Sequence, residues 1–569
     1  ISWNRTGWIK RICGILFKKN PEENLIKILN DSISHRGPND EGYFEDGYVY
    51  LGHKRLSIID LKNGHQPMTD YTGRYVIVYN GELYNYNDLR SRLINDYNIT
   101  FKTNSDTEVL INYFSIFGLD SFSQFQGMFA VAIYDKKEKK IILFRDYFGI
   151  KPLCYYINKD FVAFSSEIQS FKKLPNFNEP ICTSSIDKYL QFQFIPAPYS
   201  IFKNVYKLMP GSYLIINSDG SYSEQKKFFT PEFNINPEIS FENSLKLVEN
   251  SISNSVESHM VSDVEFGALL SGGVDSSLIV HYMSKHSSKK FKTFNIGFKN
   301  TNFDESKYAN FIADKYKTDH YSEIVDVKLL DDLSLIINHF GEPFGDSSAI
   351  PTYYVSKVAS KYVPVVLSGD GGDEFFAGYN TYIKWIRTLS GISERVDNFN
   401  VFKKLIFKSL QSIGVKKYKF NIKEPSPKLW LEIINYFNNE TRKNIWNEEY
   451  YNKLVNNNDI DLLYENYKNE SNINKVQGID LNFYLPNDIL NKIDISSMIS
   501  SLESRTPIID INVWKIASTI PEKYNLVRKN DNYIGKFLLK TIASKYFNNN
   551  FAFRKKTGFS IPVIDWLYN

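Results

Sequence analysis

Cysteine is scarce. Only Cys13, Cys154 and Cys182 occur in 569 residues, which excludes a disulfide-stapled scaffold and makes any important cysteine important as a thiol. Charge of one sign is also missing: 68 Lys and Arg against 64 Asp and Glu leave a formal net charge of +4. The basic residues are scattered through the chain, so nothing points to nucleic acid. No run of about 18 uncharged apolar residues is long enough to cross a bilayer. The first twelve residues, interrupted by Arg5, Lys10 and Arg11, lack the apolar core of a signal peptide. A cytoplasmic protein without membrane contact is expected. There are no internal repeats. Methionine is absent before Met68, and residue 1 is Ile, so the expected native start lies elsewhere.

What is present is enough apolar sequence, 43%, for two cores. From residue 13 to 225, short β-branched and aromatic runs alternate with turns. Tyr75 to Tyr79, Phe129 to Tyr134, Lys140 to Phe144 and Ser212 to Ile216 read as strands of a layered α+β domain. Residues 226–240 lose periodicity and carry Pro231 and Pro237, and are expected to be a linker. From 241 to 569 apolar strands precede helical patterns: Phe266 to Leu270 then Ser276 to Lys285, Thr293 to Phe298 then Glu305 to Tyr316, and Pro364 to Leu367 after a helix near 350–361. This alternation predicts a doubly wound parallel sheet. Beyond about residue 380 the chain reads as mostly helical.

In that second half, Leu270-Ser271-Gly272-Gly273-Val274-Asp275-Ser276-Ser277 joins a buried strand to a helix. Two glycines let the backbone approach an anion, successive N–H groups form a nest, and the helix N-terminus adds partial positive charge, so phosphate is the natural ligand. The Gly-Lys-Ser/Thr ending of a Walker A loop is missing. A second turn, Ser368-Gly369-Asp370-Gly371-Gly372-Asp373-Glu374, ends another strand, placing both turns at the carboxyl edge of one sheet. Its three carboxylates would repel a triphosphate unless a cation intervened, which implies Mg²⁺. Arg554-Lys555-Lys556-Thr557-Gly558-Phe559 offers cations for a leaving pyrophosphate.

The first turn resembles the SGGxDS loop of ATP pyrophosphatases, which cleave ATP between its α and β phosphates. Four fragments of the first half, Cys13-Gly14-Ile15, His35-Arg36-Gly37-Pro38, Arg55-Leu56-Ser57-Ile58-Ile59-Asp60, and Asn80-Gly81-Glu82 with Ser105-Asp106, stand upstream of it. Together with Glu342-Pro343-Phe344 and the run Ser501 to Asp510 they resemble class II glutamine amidotransferases of the asparagine synthetase type over nearly the whole chain.

The resemblance implies an N-terminal-nucleophile α/β/β/α sandwich followed by a Rossmann-like pyrophosphatase domain with a helical end. It implies that Cys13 attacks the glutamine amide with its own α-amine as base, so residues 1–12 would be non-native or removed. Arg55 would hold the glutamine α-carboxylate, with Leu56 to Ile59 beside it, and Asp106 the α-ammonium. Asn80 and the Gly81 N–H would form the oxyanion hole and Glu82 complete the pocket. Leu270, Ser271, Gly272, Gly273, Asp275, Ser276, Ile296, Ser368, Gly369 and Lys556 would bind ATP. Asp275 and Asp373 would hold the metal, and Asp370 would act at the acyl adenylate. Glutamine, aspartate and ATP would be the substrates, and the family's habit is a homodimer. The sequence departs from the pattern at Asp370, where many members carry glutamate, which leaves open another carboxylate acceptor such as a sugar acid or a peptide. The chain also stops soon after Phe559, where members continue, so a truncated C-terminus is expected. Enzymes like β-lactam synthetase share the fold without the nucleophile, and retention of Cys13 argues against them. A pseudoenzyme sensor is disfavoured by intact motifs at both sites.

Overall fold

The computed structural model describes residues 10–34, 40–55, 64–297, 305–325, 329–390, 424–454, 459–530 and 532–555. The first half contains twelve strands: β1 (Arg11–Phe17), β2 (Asp40–Asp46), β3 (Val49–Arg55), β4 (Met68–Thr69), β5 (Tyr75–Leu83), β6 (Gly127–Asp135), β7 (Lys140–Arg145), β8 (Cys154–Ile157), β9 (Phe161–Ser165), β10 (Val205–Lys207), β11 (Ser212–Asn217) and β12 (Lys226–Lys227). They form two six-stranded antiparallel sheets, in the orders β10-β8-β9-β1-β3-β2 and β12-β11-β7-β6-β5-β4. The four sequence-read strands fall within β5, β6, β7 and β11. The first two residues of the expected linker, Lys226 and Lys227, pair with β11.

Strand alternation stacks these sheets. Ile12 and Leu16 of β1 join Val76 and Val78 of β5 and Ala130 and Ala132 of β6 in one core between the sheets. The opposite parity of β1, Cys13, Ile15 and Phe17, packs on Leu25, Ile26 and Leu29 of the helix Asn24–Ser32. On the far side, Ile77 and Tyr79 pack with Val109, Leu110 and Tyr113 of the helix Asp106–Phe117. Period-2 apolar residues facing two ways thus produce four layers, helix, sheet, sheet and helix.

The second half adds β13 (Phe266–Leu269), β14 (Lys292–Gly297), β15 (Asp319–Ile324), β16 (Val365–Leu367) and β17 (Glu503–Arg505). All pair in parallel in the order β15-β14-β13-β16-β17. The chain winds outward from β13 in one direction, then returns to β16 and proceeds in the other. The gap between the carboxyl ends of β13 and β16 is therefore the topological switch point, where open α/β sheets bind ligands. The helix Val274–His286 follows β13, with Leu278, Ile279, Tyr282 and Met283 buried, and the helix Ala349–Ala359 precedes β16. β17 comes from the Ser501–Asp510 run, within the stretch read from sequence as mostly helical. Among the described residues no helix is long and apolar enough to cross a membrane.

Candidate functional sites

The first site lies where β1 meets β5. Ser105 caps the helix Asp106–Phe117 by accepting from the Thr107 N–H, which fixes the fully buried Asp106 at the first turn, where a carboxylate suits the helix dipole. One Asp106 oxygen accepts from Tyr79 Oη at 3.0 Å and the Leu83 N–H at 3.2 Å. The other accepts from Lys10 Nζ at 3.1 Å. The same ammonium donates to the Gly81 carbonyl at 3.2 Å and stands 3.8 Å from Glu82 Oε1. Burial opposes the charge on Lys10, but Asp106 and Glu82 outweigh it and raise its pKa. Burial also pushes Glu82 up to about 8, partly offset by Lys10. Asp106, Gly81 and Glu82, to which the family resemblance gives glutamine-binding roles, therefore converge on one ammonium, supplied by the chain itself.

Asn80 is 1% exposed, and neither its Oδ1 nor its Nδ2 has a hydrogen-bond partner among the described residues. Gly81 has φ +147°, and a Cβ there would stand 2.0 Å from the Met128 carbonyl oxygen, so only glycine fits. Cys13 is fully buried in mid-strand, paired with Gly52 and Ser165. Its Sγ lies 3.7 Å from both Asn30 Oδ1 and the Gly52 carbonyl oxygen, on the helix-facing side of the sheet, and burial pushes the thiol pKa up. Asn80 instead shares the parity of Val76 and Val78, toward the intersheet core. With Ile12 still attached, as an amide, the pleat dictates which way the thiol points. Arg55 closes β3 opposite Asp40; Leu56 to Ile59 and His35 to Pro38 lie outside the described residues.

The second site occupies the switch point. In the first turn Gly272 has φ +76°, and a Cβ would stand 2.6 Å from the Ala309 nitrogen. Ser271 Oγ lies 3.1 Å from Ser276 Oγ and accepts from the Gly273 N–H at 3.2 Å, leaving the loop wrapped around an open helix N-terminus. The second turn abuts the first: a Cβ on Gly369 would lie 2.4 Å from the Ser276 nitrogen, and one on Gly372 would lie 2.5 Å from Asp275 Oδ1. Asp275 Oδ2 and Asp373 Oδ1 both bind Lys536 Nζ, at 2.5 and 2.9 Å. A pair of carboxylates already sharing one cation suits Mg²⁺, which needs few protein ligands when phosphate oxygens supply the rest; no group of three or more His, Cys, Asp or Glu occurs as a metal cage among the described residues. Asp370 accepts from Ser368 Oγ at 2.8 Å, Leu270 lies buried beneath the turn, and Ile296 is buried on β14. Arg554 Nη2 donates to the Gly272 carbonyl at 2.7 Å, while Lys556 lies outside the described residues. Sequence reasoning missed Lys10, Lys536 and the buried Arg505. A lone lysine in Gly535-Lys536-Phe537 carries no local signal, and only the fold reveals its partners.

A four-layer αββα sandwich with a buried Lys10–Asp106 pair, followed by a parallel sheet with two glycine turns at its switch point, is the architecture of an amidotransferase, and the family comparisons match it. The glutamine amidotransferase domain family matches residues 10–229, and the asparagine synthase family matches residues 247–569. The chain belongs to the asparagine synthase family. It is 36% identical to asparagine synthetase [glutamine-hydrolyzing] 1 of Bacillus subtilis (strain 168), over 98% of this chain and 88% of that protein. It is 38% identical to a putative asparagine synthetase [glutamine-hydrolyzing] 2 of Methanocaldococcus jannaschii, over 66% of this chain and 77% of that one. Among solved structures, glutamine phosphoribosylpyrophosphate amidotransferase from B. subtilis aligns with 16% identity and a TM-score of 0.29, over 57% of this chain and 70% of that one.

Proposed function

We propose that this chain is a glutamine-dependent asparagine synthetase whose glutaminase part spans 13–225 and whose synthetase part spans 241–569. The observation that carries the reading is the pocket of Asp106, Gly81 and Glu82, which already binds an ammonium 3.1 Å from Asp106 beside the buried, unpartnered amide of Asn80. That is the polarity of an amino acid's α-amine with an oxyanion donor near its reacting end. The Cys13 thiol, activated by its own free α-amine, attacks the glutamine amide carbonyl; Asn80 Nδ2 and the Gly81 N–H stabilise the oxyanion, and ammonia leaves. Water hydrolyses the thioester to glutamate and regenerates the thiol. Arg55 pairs with the substrate α-carboxylate.

At the switch point the Ser271–Ser277 and Ser368–Asp373 turns cradle ATP. The aspartate β-carboxylate attacks the α-phosphorus, pyrophosphate leaves beside Arg554 and Lys556, and ammonia displaces AMP from the acyl adenylate to give asparagine. Mg²⁺ held by Asp275 and Asp373 would neutralise phosphate charge. The reading extends to a cytoplasmic homodimer, by family habit. Supplying [¹⁵N-amide]glutamine, aspartate and MgATP to enzyme beginning at Cys13 should yield ¹⁵N-asparagine, AMP and pyrophosphate in equal amounts. Asp370, in place of glutamate, favours a second reading with a different carboxylate acceptor; no labelled asparagine from aspartate, together with glutamine hydrolysis, would select it.

A further inference from the structure

β17 faces the first half of the chain through the Arg505 side chain. Arg505 is fully buried. Its Nε donates to Glu503 Oε1 at 2.8 Å, and its Nη1 donates to the carbonyls of His259 and Val261 at 2.8 and 2.7 Å. His259 ends the helix Phe241–His259, where unpaired carbonyls and the negative dipole end favour a cation. These bonds aim Nη2 at the glutamine pocket, 3.7 Å from Glu82 Oε2. Neither Nη2 nor either Glu82 oxygen has a hydrogen-bond partner among the described residues. The backbone of the same residue faces the other site: its carbonyl accepts from the Ser368 N–H at 2.8 Å, at the start of the second glycine turn.

We propose that Arg505 is a positioning residue for the donor reaction, an arm of the ATP-binding domain that holds the Glu82 carboxylate in place to receive the glutamine α-ammonium. The inference rests on the glutamine reading of that pocket. Glu82 is 1% exposed and faces Asp106 from the helix Asp106–Phe117, Glu503 from β17, and Lys10 and Arg505 as cations, with Tyr84 adding like charge only if ionised. In a chain that begins at Cys13, Lys10 is gone. Arg505 is then the cation left within 4 Å of Glu82 among the described residues, and a buried carboxylate without a cation prefers its neutral form. A neutral Glu82 has lost its attraction for an ammonium. Glutamine affinity is thereby tied to a strand whose backbone also anchors the ATP turn.

The test is Arg505→Lys in enzyme beginning at Cys13. Lysine keeps one charge but cannot serve Glu503, two carbonyls and Glu82 with one geometry. The expected result is a glutamine KM raised about tenfold, equivalent to one charge-assisted contact, and a kcat/KM–pH profile displaced to higher pH. Ammonia-dependent asparagine formation bypasses the donor pocket, and because the Arg505 carbonyl that accepts from Ser368 is main chain, its rate should fall less than the glutamine-dependent kcat/KM does. In Glu82→Gln enzyme the Arg505→Lys change should add nothing further to KM. An unchanged KM and pH profile, or glutamine- and ammonia-dependent rates falling together, would overturn the inference while leaving the donor reading intact. Wild-type enzyme that does not hydrolyse glutamine would overturn the donor reading, and this inference with it.

Discussion

Lys10 puts the ammonium of a side chain where the α-ammonium of a substrate is expected, and Ile12 turns the amine of Cys13 into an amide. On the proposed reading, either feature alone would block the donor reaction, one by occupancy and one by removing the base. Protein retaining these residues should resist alkylation by an electrophilic glutamine analogue, and protein beginning at Cys13 should gain one adduct, read by intact mass. Within that shorter protein, Asp106→Asn removes the strongest acceptor for the ammonium. Glutamine KM should rise about 10- to 100-fold, the loss of one buried charge-assisted bond, with ammonia-dependent synthesis retained. Lys536 poses the matching case at the other site, since Asp275 and Asp373 share it. Lys536→Met should lower ATP–pyrophosphate exchange about 100-fold or more, the scale for one preorganised charge aimed at a reacting group, and leave glutaminase activity in place.

Elements decide whether such residues can be foreseen. β5 to β7, β13, β14 and β16 declare themselves by alternation or by short apolar runs, so a layered α+β half, a parallel sheet and two turns at its carboxyl edge were legible in the sequence, whereas the four-layer order came from the family resemblance and β15, with its polar Asp319–Ile324 run, went unread. The direction of the Cys13 thiol was not legible, because it depends on whether β1 continues upstream. β17 was hidden in Ser501 to Asp510, a three-residue strand too short for periodicity, and with it went Arg505. The turns themselves give a sharp prediction. A methyl group on Gly369 would lie 2.4 Å from the Ser276 nitrogen, so Gly369→Ala must push the two turns apart. ATP–pyrophosphate exchange should fall steeply while glutamine hydrolysis persists, and a variant that exchanges normally would show that the turns need not touch.

At the scale of the whole molecule, a buried carboxyl outside both sites, Asp480, gives a pH dependence of stability that can be tested. Burial pushes Asp480, in the helix Asn472–Asn482, up to about 8, with Glu374 adding to the rise. The folded chain therefore keeps a proton that the unfolded chain releases near its ordinary value of 3.8, and stability declines as pH rises from about 4 to about 8. Asp480→Asn mimics the neutral form and has no such slope. The melting temperature of the variant relative to wild type should climb between pH 5 and pH 8, measured by calorimetry; a constant difference would show that Asp480 ionises normally.

The position of β17 also sets an order of events during synthesis. Chains emerge from the ribosome amino end first, and domains generally fold as units as they appear. The sandwich carrying Cys13 and Glu82 is complete long before Glu503 to Arg505 is translated, and β17 can dock only after β16 has waited through the intervening helices. The nascent first half consequently passes its early life without the guanidinium that stands 3.7 Å from Glu82. On the role proposed for Arg505, glutamine binding would reach full strength only once the domain that consumes ammonia has been made.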